Sequence, residues 1–161
     1  MTKIMFVCHG NICRSPMAEF VLKDMVEKAG LSDEFFISSC ATSTEDIYGG
    51  VGNPVYPAAR RELAKHGLSC DGKRAVQIKP SDYDKYDLLV AMDSNNIRNL
   101  SRMLGEDKQN KIKKLMSFTD RGGDVADPWY TGDFELTYRD IVDGCKGLLE
   151  YLMKNSITLN K

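Results

Sequence analysis

The chain has 161 residues, 42% of them hydrophobic, enough for one ordinary domain to bury a core without disulfides or a structural metal. Lys and Arg number 22 against 23 for Asp and Glu, so the net charge of −1 offers no electrostatic case for nucleic acid or an acidic membrane surface. The five cysteines, Cys8, Cys13, Cys40, Cys70 and Cys145, are odd in number and scattered, which suits reduced thiols in a cytosol better than a secreted disulfide framework. Ile4, Met5, Phe6 and Val7 after Lys3 are too short a run for a signal segment, and nothing approaches ~20 consecutive apolar residues. The expectation is a soluble, cytoplasmic, single domain over residues 1–161, with neither nucleic acid nor membrane as a partner.

Short apolar runs alternate with segments of helical period, the pattern of an α/β domain with a parallel sheet. Strands are predicted over residues 3–7, 35–41, 87–92 and 112–116, each partly β-branched or aromatic and free of internal Pro. After the first, Met17, Val21, Leu22, Met25 and Ala29 fall at helical spacing from a start at Ser15, with Pro16 leading and Gly30 as the stop. A second helix is expected from near Asn53-Pro54 to His66-Gly67, and a third carries Ile97, Leu100 and Leu104 before Gly105. In the last, Tyr138, Ile141, Val142, Cys145, Leu148, Leu149 and Leu152 form one apolar stripe after an Asp133 cap. The fold class is therefore α/β, a doubly wound four-stranded parallel sheet with helices on both faces, whose ligands bind beyond the carboxyl ends of the strands.

Cys8 lies at such an end. The segment Cys8-His9-Gly10-Asn11-Ile12-Cys13-Arg14-Ser15-Pro16 joins the first strand to the first helix, where backbone N–H groups and the helix dipole favour an anion. The nucleotide pattern Gly-x4-Gly-Lys-Ser/Thr is absent, and the loop instead carries its own nucleophile. Cleaving a phosphate monoester calls for a thiol ionised at neutral pH, which a helix N-terminus and a nearby Arg provide. It also calls for a planar cationic fork matching two phosphate oxygens, which Arg offers and Lys does not. Gly10 and Asn11 both tolerate positive φ, so the loop has the residues to curl Arg14 back toward Cys8.

Filled as Cys-x5-Arg-Ser-Pro, this loop closely resembles that of low-molecular-weight protein tyrosine phosphatases. The likeness extends through Ala41-Thr42-Ser43, Gly52-Asn53-Pro54, Lys65-His66-Gly67, Met92-Asp93-Ser94 and Asp127-Pro128-Trp129-Tyr130, in the family's order. It implies hydrolysis of phosphotyrosine through a phosphocysteine, with Cys8 as nucleophile, Arg14 as clamp and Asp127 as general acid, and no cofactor or metal. It implies that His9, Gly10, Asn11, Ile12, Cys13, Arg14 and Ser15 surround the phosphate or another oxyanion, and that Ile12, Trp129 and Tyr130 wall the phenyl ring. Asn11 would be held by Ser15, Ser39 and His66, Asp93 would orient Arg14, and Cys13 would trap an oxidised Cys8 as a disulfide. The residues alone leave plainer readings open: Asp127 as a solvated turn residue, Trp129 and Tyr130 as core packing, His66 beside a helix dipole, Asp93 as an N-cap, and Cys13 as a space-filler.

The segment 43–52 is longer than its family counterpart, Tyr48 within it is a further candidate wall, and His9 stands where many relatives have a neutral or apolar residue. His9 lacks the companions a metal site requires. Three rivals share parts of the pattern. An arginine phosphatase carries Thr at the position of Ile12, and an arsenate reductase needs two further relay cysteines, which Cys70 and Cys145 do not supply. A non-enzymatic phosphate reader would need neither Cys8 nor Asp127.

Overall fold

The structure, a computed structural model, describes residues 1–159. Its centre is β1 (Thr2–Cys8), buried on both faces from Ile4 onward. Ile4, Phe6 and Cys8 join one apolar cluster and Met5 and Val7 the other, as the alternation of a strand between two helical layers requires. β1 pairs in parallel with β2 (Phe35–Ala41) on one side and β5 (Leu88–Ala91) on the other. With β6 (Ile112–Lys114) beyond β5, the sheet order is β2-β1-β5-β6. From β1 the chain moves outward to β2 through α1 (Arg14–Lys28) and later returns to the opposite side at β5. The order thus reverses at β1, and a crevice opens beyond Cys8, which pairs with Ala41 at the strand's end.

α1 and α6 (Phe134–Leu159) cover one face of the sheet; α3 (Asp82–Lys85) and α4 (Ser94–Leu104) supply the cluster on the other. The stripe on α6 is the expected one: Ile141, Cys145 and Leu148 are wholly buried, and Asp133 Oδ1 accepts the Leu136 N–H at 2.9 Å. At Gly147 a Cβ would lie 2.0 Å from the Phe118 carbonyl oxygen, so glycine is what lets α6 seat against the 3₁₀ turn Leu115–Phe118.

Several boundaries differ from expectation. The fourth strand stops at Lys114, because Leu115 and Met116 turn into that 3₁₀ segment to enter the core under α6. α1 begins at Arg14, one residue early. α2 (Pro57–Lys65) starts at Pro57 and not at Asn53-Pro54, since Pro54 forms an antiparallel bridge with Arg74 and the Asn53 carbonyl accepts the Ala75 N–H. Proline at the helix start was the right signal attached to the wrong proline. The segment 43–52 contains a hairpin, β3 (Ile47–Tyr48) with β4 (Val51–Gly52), turned by Gly49 and Gly50 at φ 58° and 80°. A Gly-Gly pair with positive φ at both residues is the chemistry of a two-residue hairpin turn, a cue present in the sequence.

Candidate active site

The loop after β1 curls back on the nucleophile candidate. Asn11 takes φ 60°, the left-handed conformation that Asn tolerates better than most residues, and its backbone N–H reaches Cys8 Sγ at 3.2 Å. Ser15 Oγ lies 3.0 Å from the same sulfur. Both groups can donate to a thiolate, and Cys8 is only 4% exposed. The side chain of Cys13, at the N-cap of α1, makes no capping hydrogen bond, so the first-turn N–H groups of α1 face the loop without a side-chain oxygen of their own.

Arg14 is the charge at the centre of this arrangement, its side chain 6% exposed. Nη1 donates to Asp93 Oδ2 at 2.8 Å and to the Val125 carbonyl at 3.3 Å, while Nη2 lies 3.5 Å from Asp127 Oδ2. Burial works against the guanidinium's charge, but Cys8 and Asp93 overcome it and hold Arg14 above the usual arginine pKa. Asp93 serves both readings given to it. Its Oδ2 takes Arg14, and its Oδ1 accepts the Asn96 N–H at 2.8 Å in a capping box that starts α4. Asp127 likewise caps the short α5 (Pro128–Thr131), with Oδ1 accepting the Trp129 N–H at 3.0 Å.

Of the three residues expected beside Asn11, two contact it and the third does not. Asn11 Nδ2 donates to Ser15 Oγ at 2.7 Å and to Ser39 Oγ at 2.9 Å. His66 is elsewhere: it bonds Glu62 at 3.0 Å and stacks on Tyr138, because the end of α2 packs against α6 rather than behind the loop. The remaining contact to Asn11 comes from the Val76 N–H, 3.1 Å from Oδ1. Behind Ser39 lies a buried ion pair the sequence reading missed. Ser39 Oγ donates to Glu19 Oε1 at 2.6 Å; Lys73 Nζ lies 3.6 Å from that oxygen and donates to the Ser39 carbonyl at 2.9 Å, while Lys23 Nζ donates to the other carboxylate oxygen at 2.6 Å. Burial lowers the Lys73 pKa, with Glu19 opposing. The available cue was Glu19 on the apolar side of α1, where an unpaired carboxylate is costly and needs a cation.

Cys8, His9, Gly10, Asn11, Ile12, Cys13, Arg14, Asp93, Asp127, Trp129 and Tyr130 line one cavity of about 1160 Å³. Ser15 and Ser39 lie behind its floor. Trp129 is 57% exposed and braced edge-on against Tyr56 at 4.6 Å, and Tyr56 stacks on Phe134. Tyr130 is 90% exposed. The hairpin brings Tyr48, Glu45 and Asp46 to the rim, where Glu45 pairs with His9 at 3.0 Å. Burial, reinforced by the adjacent Cys8 and Asp127, raises the Cys13 thiol pKa far above its ordinary value and keeps it protonated. Among the described residues no cluster of His, Cys, Asp and Glu could hold a metal ion, and no helix is long and apolar enough to cross a membrane. Chemically, the floor brings a thiol sulfur, a cationic fork and a carboxyl group within one site.

Residues 3–158 match the family of low molecular weight phosphotyrosine protein phosphatases. The low molecular weight protein-tyrosine-phosphatase YfkJ of Bacillus subtilis is 38% identical over 156 residues, covering 96% of this chain and 97% of that protein. Its crystal structure superimposes with a TM-score of 0.90 at 37% identity over 96% of each chain. SP-PTP of Streptococcus pyogenes, also a low molecular weight protein tyrosine phosphatase, gives 0.81 at 40% identity over 94% of this chain and 93% of that one. DARP, a drosophila arginine phosphatase, gives 0.82 at 28% identity over 94% and 98%. The chain belongs to the low-molecular-weight protein-tyrosine-phosphatase family, a family of hydrolases.

Proposed function

We propose that this protein hydrolyses phosphotyrosine in proteins or peptides, with Cys8 as nucleophile, Arg14 as phosphate clamp and Asp127 as general acid and then general base. The observation that carries the reading is the convergence on one cavity floor of a buried sulfur with two donors on it, a buried guanidinium and a carboxylate. With Nη1 committed to Asp93 and Val125, the Nε and Nη2 edge of Arg14 is the one free to take two phosphate oxygens. The phosphate displaces Asp127 from its longer contact on Nη2, not Asp93 from its shorter one. Backbone N–H groups of the loop 9–15, other than that of Asn11 which is held on Cys8 Sγ, take the remaining oxygens.

Cys8 Sγ then attacks phosphorus as the P–O bond to the phenol breaks, and the protonated Asp127 carboxyl gives its proton to the departing oxygen. In the second step the Asp127 carboxylate accepts a proton from water while the water oxygen attacks phosphorus. The S–P bond breaks, inorganic phosphate leaves and Cys8 returns as thiolate, eased by the Ser15 hydroxyl and the Asn11 N–H. Trp129, braced on Tyr56, is the better-supported wall for the phenyl ring, and the apolar Ile12 lines the opposing loop. That apolar position favours a phenyl ring over the guanidinium of phosphoarginine. Five free cysteines support a reducing, cytoplasmic setting.

Oxidation is the second part of the reading. Peroxide converts the Cys8 thiolate to a sulfenic acid with loss of hydroxide; the Cys13 thiol then displaces water to form a disulfide, which a thiol reductant reopens. The buried, protonated Cys13 is a reserve thiol, not a rival nucleophile. After peroxide, peptide mass mapping should find a Cys8–Cys13 crosslink and recovery with reductant, and Cys13→Ser should be lost irreversibly. Sulfonic acid at Cys8 with no crosslink in the wild type would contradict it.

Asp127→Asn should lose ~10² to 10⁴ in phosphoenzyme formation from phenyl phosphate and far less from an activated nitrophenyl ester. Equal losses in single-turnover measurements would remove Asp127 from leaving-group protonation. Ser39→Ala should lower kcat by about tenfold, equivalent to the ~1.4 kcal/mol at the upper end of one lost hydrogen bond, since it cuts Asn11 from the Glu19 and Lys73 pair, whereas His66→Ala, which touches neither Asn11 nor the cavity, should change kcat by less than about threefold. The reverse order would restore His66 to the loop's support.

A further inference from the structure

The outer part of the cavity carries opposite charge on its two sides. On α4, Arg98 and Arg102 are exposed, one turn apart, and donate to Asn95 and Asn99, with all four residues lining the cavity. Ile97, Leu100 and Leu104 occupy the other face of the helix and pack into the sheet. Among the described residues neither Arg98 nor Arg102 has a carboxylate within ion-pair distance, which Arg61 and Arg74 also lack; of the arginines lining the cavity, Arg14 pairs with Asp93 and Arg60 with Asp71. Across the rim stand Glu45, paired with His9, and Asp46, which accepts from the Asn53 amide. Net charge of the chain conceals this local separation.

The helix is anchored at the reaction centre. Asp93 is at once its N-cap and the partner of Arg14, so α4 leads away from the clamp in a fixed direction. At 1.5 Å per residue, Arg98 and Arg102 lie ~7.5 and ~13.5 Å along the axis from Asp93. The ~6 Å between them is close to the ~6.6 to 6.8 Å that separates alternate side chains of an extended peptide.

We propose that the α4 face formed by Arg98 and Arg102, with Asn95 and Asn99 beside them, is a subsite for acidic residues at alternate positions flanking the phosphotyrosine of an extended peptide. This rests on the phosphotyrosine reading above. A peptide can present carboxylates to the α4 side alone, whereas a nucleic acid or an anionic lipid surface would bring phosphate charge against Glu45 and Asp46 as well. Arg14 fixes the phosphate, the aromatic wall fixes the ring, and the α4 arginines select among sequences around it.

The test uses phosphotyrosine peptides of one length bearing two Glu, two Gln or two Lys at alternate positions, placed before or after the phosphotyrosine in separate peptides. In one of the two placements, kcat/KM of the wild type should favour Glu over Gln by about fivefold, the scale of two exposed charge pairs. The preference should shrink as salt is raised from low ionic strength to beyond about 0.15 M. In the double variant Arg98→Glu, Arg102→Glu the order should reverse toward Lys. Peptide binding to the Cys8→Ser protein should rank in the same order without turnover. Equal kcat/KM for Glu and Gln peptides in both placements, or an unchanged preference in the double variant, overturns the subsite and leaves the phosphatase reading standing. Failure to hydrolyse phenyl phosphate and every peptide overturns that reading and the subsite with it. Tighter binding of an oligonucleotide or of anionic phospholipid vesicles than of the Glu peptide, lost in the double variant, reassigns the stripe to another partner and overturns the peptide proposal.

Discussion

A buried positive charge organises this molecule. Arg14 is nearly without solvent, and an unpaired guanidinium there would cost several kcal/mol. Its neutralisation draws together three chain segments far apart in sequence: the loop after β1 that carries Cys8, the β5–α4 junction that supplies Asp93, and the stretch before α5 that supplies the Val125 carbonyl and Asp127. The Val125 N–H in turn bonds the Met92 carbonyl, so the second and third of these are tied to each other. One guanidinium thereby fixes the positions of Cys8, Arg14 and Asp127, the proposed nucleophile, clamp and acid, relative to one another. In the proposed mechanism an incoming anion takes the Nε and Nη2 edge, so the Nη1 bonds to Asp93 and Val125 persist while the longer Asp127 contact on Nη2 gives way.

A second constraint is the left-handed turn at Asn11, which the loop must hold to keep its N–H on the sulfur. The hold is built in layers. Ser15 and Ser39 fix the Asn11 amide, Glu19 fixes Ser39, and Lys23 and Lys73 compensate Glu19. A fully satisfied buried polar network of this kind has few alternative arrangements, which is how a short Gly-containing loop can present a preformed anion site. Around this rigid floor the rim is of a different character. The β3–β4 hairpin, the exposed aromatics of α5 and the polar face of α4 are surface features that can vary without disturbing the Arg14 charge balance.

What the sequence disclosed follows from how local each signal was. The succession of the four sheet strands and the main helices and the α6 stripe rest on periodicity within one segment at a time, and both appear in the structure. Asn11, Ser15 and Arg14 lie within seven residues of Cys8, so their convergence needed only a curled loop. Asp93 was legible in both of its roles because an N-cap at the carboxyl end of a strand is also the place for a ligand-orienting carboxylate. The misplacement of His66 has a different cause. Val76 and Lys73 belong to an irregular segment that runs beside β2, bonded through Ala41 at Val76 and Ile78, and no periodicity announces that course. A His at a helix end was the more conspicuous residue, yet its ring serves the α2–α6 contact. The start of α2 failed for a related reason, since Pro54 looked like a helix start until its long-range bridge to Arg74 was known.

In the proposed mechanism Cys8 carries the phosphoryl group between two chemical steps. Rapid acid quench of the Asp127→Ala protein mixed with an activated nitrophenyl phosphate should trap it there, because the second step then lacks its base while the first has a leaving group that needs no acid. A phosphoryl group should accumulate on the peptide containing Cys8, in amounts approaching one per active site, and should be absent from Cys13. A burst of nitrophenol with no phosphorylated Cys8 peptide, or with the label on another residue, would contradict it.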